Sequence, residues 1–124
     1  MVEQYLLSTY AVGGAVPGAP GSPEEWQTFM ERVVALEAEM EAGGVFVFGG
    51  ALADPGAVHL ALPAGQELVT PDGPAVGSVP VLAGFYIINA RDDDDAMAWG
   101  RRVATATNHP IEVRPFRATG RLRA

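Results

Sequence analysis

The chain has no cysteine among its 124 residues. This excludes a disulfide framework, a thiolate nucleophile and thiolate metal ligands. Lysine is missing too, since all eight basic side chains are arginines. A Schiff-base lysine and the lysine of a phosphate loop are therefore excluded. Positive charge is scarce, with eight bases against fifteen acids and a formal net charge of -7. Nucleic acid and anionic membrane both require a basic footprint, so neither is an expected partner. The two histidines, His59 and His109, are too far apart in sequence for any H-x-H or H-x-x-x-H ligand pair, and no metal or other cofactor is expected. No apolar run approaches the roughly 20 residues of a membrane-spanning helix. The opening stretch MVEQYLLSTYAVGG carries Glu3 and no basic segment, unlike a secretory signal, so the expectation is a soluble, cytoplasmic protein.

What remains is enough to fold. Hydrophobic residues make up 48% of the chain, too many for a disordered segment. A single domain of this length buries roughly two-thirds of the surface its unfolded chain exposes. Residues 4–12, QYLLSTYAV, are β-branched, aromatic and aliphatic and read as a strand. After the Gly- and Pro-rich loop 13–21, the run Ser22-Pro23-Glu24-Glu25 has the form of a capping box with proline in the first turn. Trp26, Phe29, Met30, Val33, Leu36 and Met40 follow as a helical stripe. Glu31, Glu37, Glu39 and Glu41 are read as mostly off it, and Gly43-Gly44 ends the helix.

VFVF at 45–48 reads as a second strand that Gly49-Gly50 terminates. Residues 57–63 and 66–70 read as a hairpin around Ala64-Gly65. After the turn Asp72-Gly73-Pro74, residues 75–81 are expected to be irregular, and GFYIINA at 84–90 is a strong strand. Asp92 to Asp95 open a second helix, where acids suit the positive end of the helix dipole. Its inner face is Ala96, Trp99, Gly100 and Val103. Asn108-His109-Pro110 ends it, and Ile111 to Phe116 closes the sheet. Residues 1–117 thus form one domain, and 118–124 a tail expected to be partly mobile. The order β-α-β, hairpin insertion, β-α-β predicts an α+β ferredoxin-like sheet with both helices on one face.

Strand residues alternate between faces. Phe85 and Ile87 oppose Tyr86 and Ile88, while Tyr5 and Leu7 oppose Leu6 and Tyr10. Both faces are therefore apolar, yet two helices can cover only one. Large apolar side chains gain roughly 1.5–3 kcal/mol each on burial, so a wet second face is unfavourable. The expectation is a homodimer in which the second faces pack together.

The turn Asp72-Gly73-Pro74, with Leu68-Val69-Thr70 before it and Gly84-Phe85-Tyr86 after it, resembles the YCII-related family, in particular its DGPF branch. YLLSTY, Ser22-Pro23-Glu24-Glu25, Gly43-Gly44-Val45, Gly49-Gly50-Ala51-Leu52, Trp99 and Glu112-Val113-Arg114-Pro115 agree in order and spacing. The resemblance implies a ferredoxin-like domain pairing into a dimeric α/β barrel, in a family mostly of unknown function. It also implies a possible partner, because some members are encoded beside extracytoplasmic-function sigma factors. The chain departs from the pattern at Ala75, where the signature has phenylalanine. Its first helix has no histidine, so the His/Asp site proposed for a broader branch does not carry over.

Few residues invite chemistry. Asp72 reads either as an acid–base carboxylate at a cavity mouth or, more simply, as the side chain that caps its own turn. His59 lies mid-strand with no acid beside it. The run Asp92 to Asp95 lacks the spacing of a calcium loop. Neither Gly13-Gly14 nor Gly49-Gly50 matches a phosphate loop. Trp26 and Trp99 are read as core. Tyr5, Tyr10 and Tyr86 carry hydroxyls on central strands and, with Asp72, are the candidate ligand contacts if the dimer encloses a cavity. The leading reading is a small-ligand-binding protein with its site between two copies. The alternatives are a cofactor-free enzyme with Asp72 as acid–base and a regulatory partner of a sigma factor.

Overall fold

The computed structural model describes residues 3–53, 61–66 and 80–117. Asp72, His59, most of the expected hairpin and the tail 118–124 lie outside the described residues. Four strands and two helices follow one another as β1 (Glu3–Ala11), α1 (Pro23–Ala42), β2 (Phe46–Ala51), β3 (Val81–Ala90), α2 (Asp93–Thr107) and β4 (Glu112–Pro115). The sheet order is β2-β3-β1-β4, and every pairing is antiparallel. This is the ferredoxin-like arrangement, with β1 and β3 at the centre. Among the described residues no helix is long and apolar enough to cross a membrane.

Local chemistry explains the helix ends. Ser22 caps α1 by accepting from the Glu25 amide at 3.1 Å, and the Glu25 carboxylate accepts from the Gly21 amide at 2.8 Å. The first bond satisfies an orphan donor of the helix start, and the second ties the residue before the cap back to the first turn. Asp92 caps α2 through the Asp95 amide at 2.8 Å. Asp93 and Asp95 are engaged as well, the first by the Tyr5 hydroxyl at 2.6 Å and the second by the Arg91 amide at 3.0 Å. Asn108 ends α2 in the left-handed conformation, with φ 58°, which asparagine tolerates better than most residues.

The core joins both helices to one sheet face. Tyr5 and Leu7 of β1, Ile88 and Ala90 of β3, Leu36 and Met40 of α1, and Ala96, Val103 and Ala106 of α2 form a single cluster. Register places Tyr5 beside Ile88 and Leu7 beside Tyr86, so these four share the helix-covered face. Gly100 brings α2 close to the sheet, for a Cβ there would meet Val113 Cγ2 at 2.6 Å.

The opposite face carries Leu6 paired with Ile87 and Ser8 paired with Phe85. Phe48 pairs with Ile87 from the other side, and its ring lies 6.2 Å from that of Phe85. Phe48 is 62% exposed. Leu6, Phe85 and Ile87 are half-buried, and both helices lie on the other face, so the sheet is apolar on both sides, as alternation predicts.

Two boundaries differ from the sequence reading by three residues, the others by no more than one. β2 does not stop at Gly49-Gly50 but runs through both to Ala51. Gly49 is there for close approach, not termination: a Cβ would overlap the Phe85 carbonyl oxygen and lie 2.6 Å from Tyr86 Cδ1. β3 begins at Val81, three residues before Gly84, because the Leu82 and Ala83 backbone pairs with the ends of β1 and β2. Of the expected hairpin, the turn at Ala64-Gly65 is present, closed by the Gln66 amide on the Pro63 carbonyl at 3.1 Å.

Gly49→Ala should destabilise the fold by about 1–3 kcal/mol, the usual cost of overpacking. Gly50→Ala, with nothing within 4 Å of its Cβ position, should cost less than about 0.5 kcal/mol. Urea midpoints of the two variants check the difference, and equal losses would contradict the close-approach role.

Candidate functional site

Two-thirds of the α1 stripe does not do what a core stripe does. Leu36 and Met40 are buried, but they are the only buried residues of the helix. Trp26 is 54% exposed and Met30 39%, although both were expected in the core. Trp26 stacks instead on Phe29, with ring centroids 5.3 Å apart. The N-terminal part of α1 thus stands away from the sheet, and a cleft of about 540 Å³ lies between them. That volume falls within the range of small-molecule sites.

Each side of the cleft comes from a different element. Leu7, Thr9 and Ala11 of β1 with Gly84 and Tyr86 of β3 form the floor. Phe29, Met30, Val33 and Glu37 of α1 form the roof. Thr107 and His109 close one end, and the 12–21 loop contributes Val16 and Pro20. That loop is held in place by the end of α2. Asn108 Nδ2 donates to the Gly18 carbonyl at 3.3 Å, and His109 Nδ1 lies 3.1 Å from the Pro17 carbonyl. A carbonyl only accepts, so Nδ1 carries the proton, which in the neutral ring leaves Nε2 as an acceptor.

Polar groups are few in this apolar wall. The Tyr86 hydroxyl donates to Glu37 Oε2 across the floor-to-roof gap. Burial first, then this hydrogen bond and the adjacent negative charge, push the Tyr86 phenol well above its ordinary 10.0, so it remains a protonated donor at neutral pH. Thr9 is the other notable group. Its Oγ1 is shut off from solvent and has no hydrogen-bond partner, an exception to the general satisfaction of buried polar atoms.

Of the four expected ligand contacts, the three tyrosines among the described residues do not gather. Tyr86 lines the cleft. Tyr5 shares its sheet face, but its hydroxyl is turned to Asp93 at 2.6 Å, and that bond is the main reason its phenol also sits well above the usual value. Tyr10 is on the opposite face, with its hydroxyl 3.5 Å from Glu112 Oε1. Asp72 lies outside the described residues. Sequence reasoning passed over Glu37, Thr9 and His109. Glu37 did leave a signal: 26, 30, 33, 37 and 40 follow the 4-3-4-3 spacing of one helix face, so this acid lies on the apolar stripe rather than off it. Thr9 left none, because an unpartnered hydroxyl depends on where neighbouring strands put their own polar atoms. Among the described residues no group of three acids or histidines is placed to hold a metal ion.

Fold and cleft together define a ferredoxin-like α+β domain with an apolar ligand-sized recess on its helix side. The sequence profile of the YCII-related domain matches residues 4–118, and the chain belongs to that family. No curated protein matches the chain.

Thr9→Val keeps the side-chain shape and removes the orphaned hydroxyl. It should stabilise the unliganded protein by about 1 kcal/mol, raising Tm by several degrees, because an unmet buried group carries its desolvation cost. A loss of stability in calorimetry would show that Oγ1 has a partner in solution. Tyr5 and Tyr86 also set an alkaline limit. Below pH 10 both the folded and unfolded chains keep these protons; above it the unfolded chain releases them first, so stability falls as pH rises. Absorbance at the phenolate band should show two fewer tyrosines ionising before alkaline unfolding than after it, and one fewer in Tyr86→Phe.

Proposed function

We propose that this YCII-related protein binds a small, largely apolar ligand in the cleft between α1 and the helix-side face of the sheet. The observation that carries the reading is the stand-off of α1, which leaves Phe29, Met30 and Val33 facing the sheet across a ligand-sized gap instead of packing on it. Helices of soluble domains ordinarily bury such a stripe. An exposed apolar cleft with a few convergent polar groups is the usual form of a small-molecule site. This reading places the ligand inside one copy rather than between two.

Pairing of two copies is a separate part of the proposal. The row Phe48, Ile87, Leu6, with Phe85 beside it, is a continuous apolar strip on the face away from the helices. A second copy presenting the same strip would cover it in a two-fold arrangement, giving the dimeric α/β barrel. Neither Asp72 as an acid–base nor a sigma-factor partner draws support from any group in the cleft.

A thermal-shift screen of uncharged aromatic compounds tests the binding half. A ligand present at a hundred times its Kd should add about 2.7 kcal/mol, or roughly 10 °C in Tm for a chain of this size. Val33→Trp, which fills the cleft, should abolish the shift. Binding that survives in Val33→Trp would place the ligand elsewhere. Light scattering at micromolar concentration tests the pairing half: a dimer is expected, Ile87→Asp should give monomer, and a monomeric parent protein would refute the pairing.

A further inference from the structure

The polar groups of the cleft are unequal in kind, and their inequality restricts the ligand. Glu37 is the carboxylate in the wall. The single Tyr86 hydroxyl proton is already given to it, so this pair offers a ligand only lone pairs. His109 has its Nδ1 proton engaged by the Pro17 carbonyl. The Thr107 hydroxyl is spent on the Val103 carbonyl at 2.7 Å. Thr9 has a free Oγ1 but no charge. The uncharged donors of the described wall are the Thr9 hydroxyl and the Trp26 indole N–H, whereas its charged group, Glu37, only accepts.

Charge points the same way. Among the described residues no arginine lines the cleft. Arg32, next to Val33 in sequence, donates its Nε to the Ala106 carbonyl at 2.9 Å and is not part of the wall. An anionic ligand entering this recess would meet Glu37 in an apolar, poorly screened setting with no counter-charge. Moving a charge out of water without a partner is strongly unfavourable, and like charges add to that cost.

We infer that the cleft selects uncharged aromatic ligands that donate a hydrogen bond, such as a phenol, and rejects carboxylates of the same size. The donor engages the Glu37 end of the cleft, and the ring lies against Phe29, Val33 and Leu7. This inference rests on the reading of the cleft as the ligand site and adds to it the chemical class.

Three probes with one ring system separate the two. 2-Naphthol is an uncharged donor at pH 7, 2-methoxynaphthalene has no donor, and 2-naphthoate is an anion. Titration calorimetry should give naphthol a Kd at least tenfold below that of methoxynaphthalene, with naphthoate the weakest. Amide shifts at Thr9 and Val33 should report the same site for each bound probe. Glu37→Gln should reduce the naphthol-over-naphthoate preference to less than threefold, while Tyr86→Phe, which keeps the carboxylate, should still reject naphthoate. Methoxynaphthalene or naphthoate binding as tightly as naphthol would overturn the selectivity and leave the cleft standing as an apolar site. If no probe binds, both the selectivity and the cleft reading fail. Unchanged preference in a folded Glu37→Gln protein would remove Glu37 from the selectivity.

Discussion

The structure depends on how α1 is attached to the sheet. Met40 and Ile88 are both 0% exposed, and with Leu36, Tyr5 and Leu7 they fix the last turns of the helix to the two central strands. Burial of side chains this size is worth roughly 1.5–3 kcal/mol each. Towards its other end α1 is held by its own cap and by the end of α2, through Phe29 against the His109 ring and Arg32 Nε on the Ala106 carbonyl, not by the sheet. One end is held by core packing on the sheet and the other by its cap and by contacts with the end of α2. The gap between helix and sheet follows, and so does the Tyr86–Glu37 hydrogen bond that crosses it just before the packed end begins.

The two faces of the sheet have different problems. On the helix side the apolar surface is present but not fully used, and the shortfall is a recess. On the far side, among the described residues, Leu6, Phe48, Phe85 and Ile87 pack only on one another and no helix covers them. Both features come from one sequence property, apolar residues at consecutive positions of β1 and β3. Consecutive apolar residues make a strand that needs cover above and below, and a pair of helices with small inner residues supplies it on one side only. Gly100 and Ala96 let α2 sit close to the sheet, whereas α1 reaches it only through its last turns.

Much of the architecture was legible in the sequence because it is governed by short-range rules. The Ser22 and Asp92 caps, the Gly43 helix end and the face alternation of GFYIINA each depend on residues within a few positions of one another. Gly49-Gly50 misled for the opposite reason. A glycine pair ordinarily marks a break, but here the first glycine answers to Phe85 and Tyr86 on a neighbouring strand, a contact that local sequence does not encode. Trp26 misled as well, since periodicity assigns a residue to a face without showing whether anything packs on that face. The candidate site was legible in its ingredients more than its membership. Tyr86 was singled out, Tyr5 and Tyr10 were separated from it by hydrogen-bond partners and face, and Glu37 was set aside by its charge despite lying on the stripe.

The central claim is that α1 packs on the sheet through its C-terminal turns only. Side-chain nuclear Overhauser effects in the unliganded protein measure this directly. Strong effects are expected from Leu36 and Met40 to Tyr5, Leu7 or Ile88, and none from Trp26 or Met30 to Leu7, Thr9 or Ala11. Clear effects between Trp26 or Met30 and those strand residues would mean that the helix lies flat along the sheet, and that the recess is closed.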